Sequence, residues 1–182
     1  MKTLFKIFVI LFFSFSLSFA EIEKFAYSCG NKICFNAWPK LPDINNWKHD
    51  RKVSLHYSMN VIIPQGYNFS NAKSIIYARA ILKEKVSFKT LDEFIQNDIN
   101  SFKINKPEVK IFDVAMKNKF DKKYYKSLKF FANKSYEQLY YTEEKDQNVN
   151  EYYVLFTLSA FSENDYNKSL PVFEELLFLY NK

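Results

Sequence analysis

The chain is 182 residues long, carries a formal net charge of +6, and holds 20 Phe and 13 Tyr against two Gly, two Cys and two His. With only Gly30 and Gly66 present, a Gly-rich phosphate loop is excluded, and no serine sits in a Gly-x-Ser-x-Gly elbow. The length suits one domain that buries most of its apolar surface and is too short for two comfortable ones.

Residues 1–20 read as a signal peptide. Lys2 and Lys6 give a positive start, and Ile7 to Phe19 form an apolar run, broken by Ser14, Ser16 and Ser18, that is too short to span a bilayer comfortably. Ser18 and Ala20 put small side chains at the minus-three and minus-one positions of a cut before Glu21. No cysteine follows that cut, which argues against a lipid anchor. No later stretch reaches the roughly 18 uninterrupted apolar residues of a membrane helix. The expected product is periplasmic or secreted, has no membrane span, and drops from +6 to +4 on losing the two lysines.

Residues 21–57 read as an irregular N-terminal extension. Cys29 and Cys34 flank Gly30, Asn31, Lys32 and Ile33, and in an oxidising compartment a disulfide closing that small loop is the default. The spacing is not the Cys-x-x-Cys of redox chemistry. Trp38 and Trp47, with Pro39 and Pro42, lie in the same stretch. His49, Asp50 and His56 could form an acid/base or metal cluster, but neither histidine sits at a regular ligand spacing from the cysteines, so no metal or cofactor is expected.

Residues 58–182 carry the ordered pattern. Met59 to Ile63 reads as a strand ended by Pro64, Gln65 and Gly66, and the alternation of Ser74 to Lys83 predicts a second, central strand. Thr90 and Glu93 form a capping box that opens a helix with the apolar stripe Leu91, Phe94, Ile95, Ile99 and Phe102, leaving Asp92, Glu93 and Asp98 on other faces. Strands are predicted at Val109 to Ala115, Tyr124 to Ala132, Tyr136 to Tyr141 and Tyr152 to Phe161. A last helix is predicted from about Leu170 to Tyr180, with Ser169 as cap and Pro171 in the first turn. Two strands, a helix, four strands and a helix give an α+β domain: an antiparallel sheet of about six strands covered by helices, an α/β/α sandwich.

This order resembles the PsbP-like fold of photosystem extrinsic proteins. The resemblance rests on the strand Val61, Ile62, Ile63 running into Pro64, Gln65 and Gly66, on the helix start Thr90, Leu91, Asp92, Glu93 and Phe94, and on the closing strand Tyr153 to Ala160 with its helix after Pro171. It spans about residues 57–181. It implies a scaffold that mostly binds protein partners and has no shared catalytic centre.

The strongest charge feature is the cluster Lys117, Lys119, Lys122, Lys123, Lys126 and Lys129, opposed locally by Asp121. Such a cluster could hold an anionic surface or an acidic partner, or could be a solvated lysine-rich turn that discourages edge pairing. Nucleic acid is not expected for an exported chain. The resulting expectation is a non-enzymatic exported domain that binds a protein or envelope component. Its binding surface would use the sheet edge, the region of Trp38 and Trp47, or Lys117, Lys119, Lys122, Lys123 and Lys126. The alternative is an envelope hydrolase using His49 or His56 with a carboxylate such as Asp43 or Asp50.

Overall fold

Nine strands and three helices occupy the residues described by the computed structural model, 21–114 and 125–181. The expected signal peptide and Lys117, Lys119, Lys122 and Lys123 lie outside those residues. Strands β3 (Trp47–His49), β4 (Asn60–Pro64), β5 (Ser74–Leu82), β6 (Lys110–Asp113), β7 (Lys126–Ala132), β8 (Ser135–Lys145) and β9 (Glu151–Ala160) form one seven-stranded sheet in the order β3-β4-β5-β9-β8-β7-β6. Every pairing in it is antiparallel. The six strands expected from periodicity are all present. The seventh is β3, a three-residue edge strand too short to show a period.

Residues 21–57 are not irregular. Strands β1 (Ile22–Cys29) and β2 (Lys32–Pro39) form a separate antiparallel hairpin, and helix α1 (Arg51–Tyr57) follows β3. Asp50 caps α1, its carboxylate accepting from the Val53 amide at 3.1 Å. The segment also feeds the core: Leu41 and Ile44 are buried in the main cluster, with Ile22, Ala37 and Trp47 packed against it.

The sheet is covered on both faces. On one, helix α3 (Glu163–Tyr180) buries Tyr166, Phe173, Leu176 and Leu177 against Tyr140, Val154, Phe156 and Leu158. The hairpin packs over the same face, above the small side chains of Ala78 and Ala80. On the other, helix α2 (Leu91–Asn105) buries Phe94 and Ile95 against Leu128, Phe130, Leu139, Tyr141, Tyr153 and Leu155, while Val53 of α1 packs near Val61 and Ile63. No helix among the described residues is long and apolar enough to cross a membrane.

Helix α3 starts seven residues before the expected position, capped by Ser162, whose hydroxyl accepts from the Asp165 amide at 3.1 Å. Pro171 therefore lies inside the helix. Both Pro171 and Asn167, whose carbonyl loses its usual amide partner, are exposed, so water can satisfy that oxygen. Asp98 also departs from its expected outward face. It is buried between α2 and the sheet, accepting from Arg79 Nη2 at 2.9 Å and from the Tyr141 hydroxyl at 2.7 Å.

Candidate functional site

The hairpin is built by a two-residue turn, Gly30-Asn31, between strands paired from Ile22↔Pro39 to Cys29↔Lys32. Gly30 has φ +68°, the left-handed value that a II′ hairpin turn asks of its first central residue. Alternation along β2 sets Ile33, Phe35 and Ala37 on one face and Cys34, Asn36 and Trp38 on the other. Ala37 is packed against the main core, but nearer the tip Ile33 and Phe35 are 70% and 74% exposed. Cys34 lies opposite Tyr27 and position 29 opposite Lys32, so the two cysteine positions are diagonal neighbours across the ladder.

Trp38, expected on a binding surface, is fully buried. Its ring lies 3.9 Å from the Phe25 centroid, its Nε1 donates to Glu23 Oε2 at 2.7 Å, and Arg51 of α1 sits over it while also donating to Glu23. It anchors the base of the hairpin rather than facing a partner. Trp47 is half-buried against the core.

Between the hairpin and the end of β5 runs a cleft of about 350 Å³, walled by Phe35 and Ala37 on one side and Ala80, Leu82 and Tyr152 on the other, with Lys24 and Lys85 among its lining residues. Asp146, in the β8–β9 connection, holds the hairpin in place. Its carboxylate, on a residue only 4% exposed, takes the Lys24 ammonium at 2.6 Å, the Tyr152 hydroxyl at 3.2 Å, the backbone amides of Asn148 and Asn150, and the Asn150 side-chain amide. Burial alone would raise this carboxyl, but the hydrogen bonds from Lys24, Asn150 and Asn148 outweigh it and hold the group well below its ordinary value.

A second polar cluster lies under α2. Glu137, 7% exposed, accepts from Ser135 at 3.1 Å, and Ser135 in turn accepts from Lys106 Nζ at 2.7 Å. Glu137 Oε2 has no hydrogen-bond partner, nor have the buried Thr157 Oγ1 and Arg79 Nε. Burial raises the Glu137 carboxyl, with Lys106 and Ser135 opposing it in part. Burial likewise raises the Tyr77 phenol, helped by the Glu137 charge. The Tyr141 phenol rises by burial and by the charge of Asp98.

The histidines do not share a site. His49 lines a separate recess with Asp43, Ser54 and Asn60; its Nε2 is 3.4 Å from Asp43 Oδ1 and its Nδ1 3.2 Å from Asn60 Oδ1. His56 is exposed on α1, edge-on to Tyr57. Ser54, whose residue lines this recess, is already committed, donating to the Asp50 carbonyl at 2.8 Å and accepting from the Val61 amide at 2.9 Å. Of the lysine cluster, Lys126 forms an ion pair with Asp92 of α2 and Lys129 lies over the Tyr166 ring at 5.5 Å.

Sequence reasoning missed Ile33, Phe35, Lys85 and Asp146. The Gly30-Asn31 dipeptide between two runs rich in aromatic residues was the available signal for the hairpin. Nothing local marks Asp146 as the acceptor for Lys24. No family model, curated protein or solved structure matches this chain.

Proposed function

We propose that this chain is an exported, non-enzymatic domain that binds a protein or envelope component through the end of the molecule formed by the β1–β2 hairpin. The observation that carries this reading is the pair Ile33 and Phe35, two large apolar side chains left 70% and 74% exposed on one face of a braced hairpin beside an apolar cleft. A disulfide between Cys29 and Cys34 would stiffen the tip and reduce the entropy lost on binding. The resemblance to PsbP-like domains supports a binding role over catalysis. In a capture of envelope components with the exported protein, Phe35→Asp with Ile33→Asp should lose the partner. A variant with Lys122, Lys123 and Lys126 changed to Glu should keep it. The reverse result would move the binding surface to the lysine cluster.

The alternative, an envelope hydrolase, draws on the His49–Asp43 pair at 3.4 Å. It requires that ester or amide hydrolysis by the purified protein vanish in His49→Ala. Equal rates in wild type and variant would dismiss it.

A further inference from the structure

We propose that the cleft beneath the hairpin binds a single-tailed amphipathic anion, a medium-chain fatty-acyl carboxylate, with its tail against Phe35, Ala37, Leu82 and Tyr152 and its head at Lys85. This rests on the binding role proposed above and names the ligand class of the same site. The walls supply the apolar contact: Phe35 is left largely in water and gains most from a chain laid across it.

Charge fixes the sign of the head group. Both charged residues lining the cleft are lysines. Lys24 is held by Asp146 at 2.6 Å, whereas Lys85 is exposed and forms no ion pair with a described residue. An ammonium head would meet like charge at Lys85, while a carboxylate would meet an unpaired ammonium there.

The volume of about 350 Å³ lies at the lower end of the ~300–1,000 Å³ usual for small-molecule sites and suits one short chain.

The test titrates the protein, recovered after export of the full chain, with dodecanoate, dodecyltrimethylammonium and dodecyl maltoside by calorimetry below their micelle concentrations. Dodecanoate should bind in preference to both others. Phe35→Asp should weaken it by about tenfold or more, and Lys85→Glu by about fivefold while the ammonium analogue gains. Both side chains are exposed, so unchanged thermal unfolding of the variants separates lost binding from lost folding. Equal affinity for the three amphiphiles would overturn the assignment. So would absence of dodecanoate binding. If envelope capture still depended on Phe35 in that case, the binding role would stand with another ligand, such as an apolar peptide added along the hairpin edge. Loss of both would end both readings.

Discussion

The two ends of β8 bury carboxylates in opposite ways. Asp146, just past its C-terminal end, is surrounded by donors: an ammonium, a phenol, two backbone amides and a side-chain amide. Glu137, near its start, has one hydroxyl donor and a second oxygen with none. Both residues are similarly hidden from water, so the difference lies in the partners. A buried carboxylate with its lone pairs filled is a brace, and one left half-filled costs stability that an apolar or amide group there would not. The brace holds the element to which binding is assigned. The half-filled group lies on the opposite face, under α2.

The largest expected change that breaks this contrast is Asp146→Ala. It leaves the buried Tyr152 hydroxyl unpaired and removes the ties to Lys24 and to the amides of Asn148 and Asn150, and should cost about 2–4 kcal/mol in urea unfolding. Hydrogen exchange should quicken first in β1 and β2. Lys24→Met cuts only the tie to the hairpin. Because Lys24 is partly exposed, its loss should cost about 1 kcal/mol, and the β8–β9 connection should stay protected from exchange. Glu137→Gln should act in the other direction, leaving stability unchanged or raising it by up to about 1 kcal/mol, since a neutral amide keeps the Ser135 contact and removes a buried charge. A clear loss in that variant would show that the carboxylate is better satisfied than its contacts indicate.

The pH dependence sharpens the same contrast. The folded Asp146 carboxyl is held below the ordinary 3.8, so its contribution is complete above that value and is lost as pH falls through the lower folded one. The folded Glu137 carboxyl is held above the ordinary 4.5, so its contribution is complete below that value and is lost as pH rises through the higher folded one. Stability followed from about pH 2 to about pH 8 should therefore rise with pH on the acid limb, from Asp146, and fall with pH above it, from Glu137. Asp146→Asn should flatten the acid limb and Glu137→Gln the limb above it.

What was legible in the sequence followed from local chemistry. Thr90 and Glu93 announced α2, and the Thr90 hydroxyl does accept from the Glu93 amide at 3.2 Å. The alternation of 74–83 found β5, which sits between β4 and β9. Pro171 hid the first two turns of α3, because a proline ordinarily marks a helix start and here an exposed Asn167 tolerates the lost bond. Asp98 was misplaced because helical spacing alone puts it on the stripe of Phe94, Ile95 and Phe102, while its charge argued for solvent; only the sheet supplies Arg79 and Tyr141 to receive it. The cleft was beyond local reading altogether. Its walls come from β2, β5 and β9, and no periodicity relates Phe35 to Tyr152.

The position of β9 bears on how such a chain can assemble. It is the last of the described strands, yet among them it alone joins β3-β4-β5 to β8-β7-β6, pairing on one side from Ser74↔Ala160 to Leu82↔Tyr152 and on the other from Tyr136↔Ala160 to Lys145↔Glu151. Without β9, the ladders β3-β4-β5 and β8-β7-β6 have no strand pairing between them. Closure of the sheet awaits long-range pairing, the kind of contact that slows folding. The stretch of chain most exposed to misassociation in that interval is therefore the pair of waiting edges, β5 and β8, and a chaperone acting on this protein would be expected to hold there.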